Sequence, residues 1–151
     1  MRLRMGKVVD SDPMIDDVER VQLLAQLEAA LRKHGCRVRM ESGTLCINRP
    51  DWDERAGQTF AMASAISTIL REDRSFRVVV QELRDEDEVV QKYSITLLDG
   101  ENRSLHAWHR DPKRGQHQHE YDAGVKLPDH IPHEGSIECI ATEMIQHMDD
   151  S

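Results

Sequence analysis

The chain has 151 residues, with 20 Lys and Arg against 28 Asp and Glu, a formal net charge of -8, and only 4% aromatic residues. One modest domain fits that length, whereas two large independent cores do not. The acidic balance opposes nonspecific attraction to phosphate backbones. There is no apolar run of the roughly 18 residues needed to cross a bilayer and no signal-peptide pattern at the start, so a cytoplasmic protein with no membrane partner is expected.

Taken in chain order, Met1 to Lys7 alternates Leu3 and Met5 with Arg2 and Arg4, a short strand pattern. Asp12-Pro13 then supplies a helix-capping residue and a proline suited to the first turn. The helix carries a stripe of Val18, Val21, Leu24, Leu27 and Leu31 and ends on Arg32, Lys33, His34 and Gly35. Cys36 to Met40 and Thr44 to Ile47, separated by Glu41-Ser42-Gly43, predict a short hairpin. The polar stretch from Arg49 to Glu54 marks a boundary near residue 50 between this N-terminal unit and a sheet core, within one α+β domain spanning 1–151.

Phe60 to Leu70 fits either a helix face or, over its second half, a strand; the strand is preferred from Ile66. A meander follows through Phe76 to Leu83, Val89 to Leu98, the strong hairpin signal Asp99-Gly100, and Ser104 to His109. Sequential strands joined by tight turns predict an antiparallel sheet whose apolar face is covered by the N-terminal helix. Beyond Asp111-Pro112 apolar periodicity is lost and a histidine-rich loop is expected. Ser136 then caps a final helix bearing Ile137, Ile140, Met144, Ile145 and Met148. Cys36, Cys46 and Cys139 are odd in number and lack CxxC spacing, so each reads as a small buried hydrophobe.

Seven of the eight histidines fall at or after His106, and this asymmetry is the main functional signal. In His117-Gln118-His119, extended backbone puts both imidazoles on one side, where either can carry protons or ligate a metal. A divalent transition metal needs a third ligand, for which His109, Glu120, Asp122, His130 and His133 are candidates. Metal-free RNA cleavage needs groups that move protons and cations that offset phosphate charge. For that chemistry His109, His119 and His117 are the acid-base candidates, and Arg110 and Arg114, with Lys113 in support, are the phosphate contacts. The competing reading is a set of solvated loop histidines, with His106 and His147 bordering a packed face.

The segment 66–133 resembles the TumE family of bacterial and archaeal toxin-antitoxin toxins. The resemblance lies in the strand order through Phe76 to Glu82, in Lys92-Tyr93-Ser94, in Leu98-Asp99-Gly100, and in Trp108 followed by Asp111-Pro112 and His117-Gln118-His119. Within Ala107 to Arg114, Trp108 and Pro112 match the family pattern, whereas His109 stands for its acidic residue and Lys113-Arg114 for its paired histidines. The resemblance implies an endoribonuclease-like toxin acting on cellular RNA and held by a cognate antitoxin. The alternative is a noncatalytic protein-interaction module on the same scaffold, with the N-terminal helix and hairpin available for a partner or for homo-oligomer formation.

Overall fold

The computed structural model describes residues 21–47, 61–87 and 89–151. Helix α1 (Gln22–Lys33) leads into strands β1 (Arg37–Ile47), β2 (Ala61–Arg71), β3 (Arg74–Arg84), β4 (Val90–Leu98), β5 (Ser104–Asp111) and β6 (Gly115–Asp122). Two short strands, β7 (Val125–Lys126) and β8 (Ile131–Pro132), precede helix α2 (Ile137–Asp150). Neighbouring strands pair antiparallel in sequence order from β1 to β7, and β8 adds to the same edge of the sheet through β6. The protein is thus an α+β meander flanked by an N-terminal and a C-terminal helix, with a histidine-rich region between the sheet and α2. No helix among the described residues is long and apolar enough to cross a membrane.

Alternation along the strands separates two faces. Ala63, Ala65 and Ile69 of β2, Phe76, Val78 and Val80 of β3, Tyr93, Ile95 and Leu97 of β4, and Trp108 of β5 form one buried core with both helices. The helices contribute Leu24, Leu27 and Leu31 from α1, and Ile140, Met144 and Met148 from α2. Each fully buried large apolar side chain contributes roughly 1.5–3 kcal/mol, so this layer dominates stability. Polar anchors fix the helices on it. Buried Glu28 accepts a hydrogen bond from the Ser67 hydroxyl at 2.8 Å, and Arg71 grips Asp149 near the end of α2 through two nitrogens at 2.7 and 3.1 Å.

Several expectations need correction. The described helix begins at Gln22 behind an extended Val21 that supplies no side-chain cap. Its first amides donate instead to the buried carboxylate of Glu82 on β3, from Gln22 at 3.3 Å and Leu23 at 3.0 Å, which satisfies orphan donors at a helix end from across the fold. Asp12-Pro13, Met1 to Lys7 and Arg49 to Glu54 lie outside the described residues. The hairpin expected around Glu41-Ser42-Gly43 is one continuous strand. Arg37–Met40 and Ser42–Ile47 both pair with β2, and the extra residue between them is absorbed as a bulge. Of the segment expected to be ambiguous, Phe60 lies outside the described residues, and Ala61 to Leu70 is not split, since β2 is extended from Ala61 onward.

The histidine-rich region also holds more regular structure than expected. Gly115–Asp122 is a strand whose inward positions are His117 and His119. Alternation is therefore present, but with imidazoles in the places where a half-buried strand ordinarily carries apolar side chains. Beyond Asp122 the chain is irregular apart from β7 and β8 until α2 begins, and His130 and His133 flank β8.

Candidate metal centre

The register of β5 and β6 builds the site. His109 stands directly opposite His117, and Ala107 opposite His119. Directly opposed residues of an antiparallel pair share a face, so His109, His117 and His119 lie together on the side of the sheet away from Trp108 and the helices. Ala107, small and fully buried, leaves room for the rings around it. Ring centroids are 5.4 Å apart for His109 and His117, 4.8 Å for His109 and His119, and 5.1 Å for His117 and His119. A ligand nitrogen from each lies within 4.8 Å of the other two. Tetrahedral zinc with nitrogens at about 2.0–2.1 Å asks these atoms to draw closer than they stand here.

His130 extends the cluster. β8 pairs with β6 as Gln118 with Ile131 and His117 with Pro132, so the preceding residue, His130, continues the register toward His119. Its ring centroid is 4.6 Å from that of His119 and 5.0 Å from that of His117. His130 is exposed, whereas His117 and His119 are buried, so it forms the solvent side of the group.

The protonation pattern suits ligation. His117 donates from Nδ1 to the Gly115 carbonyl at 3.0 Å, leaving Nε2 with a free lone pair, as an outer partner does for a metal-bound imidazole. His119 Nδ1 is buried with no hydrogen-bond partner, a costly state for a polar atom unless something coordinates it. Burial first, then the neighbouring imidazoles of His119 and His117, hold His109 down to about 4. Burial and the Lys126 charge likewise lower His119. At neutral pH these two rings are neutral and offer lone pairs rather than protons.

A second group of ligand-type side chains lies on the helix face. His133, Cys139 and Glu143 also place their donor atoms within 4.8 Å of one another. Here, however, the donors and acceptors are matched. His133 Nδ1 accepts from the Gly135 amide at 2.8 Å, and its Nε2–H donates to Glu143 Oε1 at 2.9 Å. Trp108 Nε1–H donates to the same oxygen at 2.8 Å, and the Cys139 thiol reaches Oε2 at 3.4 Å. Hydrogen bonds from Trp108 and His133 keep the Glu143 carboxyl below its ordinary range despite partial burial, whereas burial and Glu143 push the Cys139 thiol up. This network fastens α2 to β5 and gives the His133 nitrogens, the Glu143 oxygens, the Trp108 N–H and the Cys139 thiol each a partner. Cys139 was expected only as a buried hydrophobe. Its role depends on an i,i+4 spacing to Glu143 along α2, a signal visible in the sequence once the helix is placed.

Of the expected phosphate contacts, Arg110 is on the helix side. Its guanidinium bonds to the Val90 carbonyl and lies 5.7 Å above the Tyr93 ring. Arg114 is exposed in the turn between β5 and β6, its amide donating to Asp111 Oδ1 at 2.6 Å, and its charge is felt at His130. Lys113 shares that turn through its amide, 2.9 Å from the same oxygen. Glu120, opposite His106, is exposed and lies on the other face from the imidazole cluster. His106 and His147 do border the packed face, stacked at 4.2 Å with 22° between their planes.

A cavity of about 340 Å³ opens at the far end of β6, lined by Arg74, Asp99, Arg103, Tyr121 and Ser151 among others. Its arginines are already engaged. Arg74 donates to the Met148 carbonyl and the Ser151 hydroxyl, and Arg103 pairs with Asp99 and Glu101. Comparison of the chain with protein-family models, with curated proteins and with solved structures found no match. The site therefore stands on its own geometry.

Proposed function

We propose that His109, His117 and His119 hold a divalent transition metal and that the protein is a metal-dependent hydrolase. The observation that carries this reading is the buried, unpartnered Nδ1 of His119 within a group of three imidazoles whose ligand atoms converge. Three protein ligands with one position left open is the donor set of catalytic rather than structural zinc. Such an ion supplies Lewis acidity to a bound substrate. The chain's own residues do the rest: Gly115 orients His117, Ala107 clears space for the rings, and exposed His130 stands on the solvent side of the open position.

Metal-free cleavage of RNA, with His109, His117 and His119 as acid-base groups in a TumE-like toxin bound by an antitoxin, uses the same imidazoles. Two observations weigh against it. Arg110 is turned to the opposite face, leaving Arg114 without its expected companion, and His109 is too weakly basic to arrive protonated as a general acid at neutral pH. The interaction-module reading explains neither the unpartnered nitrogen nor the convergence of the rings.

The test is metal uptake. Chelator-stripped protein titrated with cobalt(II) is expected to bind one equivalent and show the intense visible absorption of a tetrahedral site, lost in His119→Ala with folding retained. RNA cleavage that survives rigorous chelation, in protein that takes up no metal, would restore the acid-base toxin.

A further inference from the structure

We infer that this metal face takes a substrate presenting a phosphate monoester, with Lys126 and Arg114 meeting its oxygens. The inference rests on the metal reading above. Lys126 on β7 stands opposite Tyr121 on β6, and Tyr121 is two residues from His119, so register carries Lys126 to the imidazole face, one diagonal step from His119. Arg114 sits at the other end of β6, immediately before Gly115, whose carbonyl orients His117. Two cations therefore bracket the cluster along one strand.

Both are exposed, and neither side chain is held in an ion pair with a described residue. Lys126 is close enough for its charge to act on His109, His119 and His130 together. The carboxylate on this side, Asp111, is occupied by the Lys113 and Arg114 amides.

Charge bookkeeping selects the ligand class. Neutral imidazoles leave a divalent ion its whole charge, and Lys126 and Arg114 add to it against the carboxylate of Asp111. Cations beside a cation site weaken it by repulsion, and an anion that joins them offsets that cost. A phosphate monoester, which approaches a dianion near neutral pH, neutralises more of the excess than a carboxylate or a phosphodiester. It also has enough oxygens to meet the metal and both side chains at once.

The experiment uses the cobalt-loaded full chain titrated with inorganic phosphate, and in a parallel arm with acetate, read by the cobalt absorption. Phosphate is expected to bind more tightly than acetate. Lys126→Gln and Arg114→Gln are each expected to raise the phosphate dissociation constant by about threefold to tenfold, the scale of one partly solvated charge-assisted contact. Cobalt affinity in the same variants should hold or increase, because a repelling charge has gone, an opposite sign that simple damage to the fold does not produce. Equal phosphate affinity in the variants, or acetate binding as tightly as phosphate, overturns the inference while leaving the metal reading intact. Absence of cobalt uptake by the wild-type chain removes both.

Discussion

Among the described residues, two groups of ligand-type side chains each bring their donor atoms within 4.8 Å of one another, on opposite faces of β5 and β6, and they differ in how their lone pairs are used. Around Glu143, donors from Trp108, His133 and Cys139 are matched to carboxylate oxygens, and the Gly135 amide occupies the remaining nitrogen of His133. Around His119, a buried nitrogen has no partner. Proximity of ligand-type residues alone does not distinguish the two groups, whereas the state of each donor atom does.

The largest expected effect comes from breaking the unpartnered group. His117→Ala or His119→Ala removes a direct ligand, so affinity for cobalt or zinc should fall by more than the ~10–100-fold that loss of an outer partner costs. Wild-type protein at a metal concentration about a hundredfold above its dissociation constant should gain roughly 2.7 kcal/mol of stability, and the variants should gain almost none. Thermal melts with and without metal read both. Equal stabilisation of wild type and His119→Ala would place the metal elsewhere.

Breaking the matched group should do the reverse. Glu143→Leu strands the buried Trp108 N–H and the His133 N–H, at a cost of about 2–4 kcal/mol for lost charge-assisted bonds and unsatisfied donors, with metal uptake retained. A denaturant melt and a cobalt titration on the same sample decide it. Gly135→Ala belongs to the same region. Its φ is +85° and an added Cβ would fall 1.4 Å from Gln116 Oε1, displacing the side chain that accepts the Tyr93 hydroxyl at 2.8 Å. A loss of about 1–3 kcal/mol is expected, and an unchanged melting temperature would show that the turn relaxes freely.

These contrasts were unevenly legible in the sequence. The strands from Phe76 to His109 and the Ser136-capped helix follow from alternation, Asp99-Gly100 and helical spacing, all of them local signals. The cap of α1 was hidden because its acceptor, Glu82, is some 60 positions away, and no local pattern announces a carboxylate supplied by another strand. β6 was hidden for a different reason. Its alternation is written in His117 and His119, and only the register with His109 shows those rings to be an inward face. The same register takes Arg110 away from the site, since adjacent residues of a strand point to opposite sides. Sequence proximity grouped Arg110 with His109, and the pleat separates them.

A pH series sharpens the comparison with a smaller effect. In metal-free protein, burial holds His106, His109 and His147 below the ordinary histidine value of 6.5, with His109 at about 4. Between these values the unfolded chain takes up protons that the folded chain refuses, so stability should fall as pH drops from about 6.5 toward 4. Each group adds at most about 1.4 kcal/mol per pH unit, reduced by solvent screening at partly exposed rings. Glu143 acts in a lower window. Its depressed pKa contributes stability above its ordinary 4.5 that is lost as pH falls further. Melting temperatures that stay level from pH 7 to 5 would contradict the burial of the histidines.

Cys139→Ser is expected to change least, and for that reason it tests the comparison most selectively. The serine hydroxyl keeps a donor pointed at Glu143 Oε2 while removing the soft sulfur that a transition metal would favour in this cluster. If His133, Cys139 and Glu143 form only a clasp, the substitution should alter stability by about 0.5 kcal/mol or less and leave cobalt stoichiometry and absorption as in the wild type. Sulfur-to-cobalt charge transfer in the near ultraviolet, present in the wild type and lost in Cys139→Ser, would show that the matched network opens to take the ion. The unpartnered nitrogen of His119 would then need a different explanation.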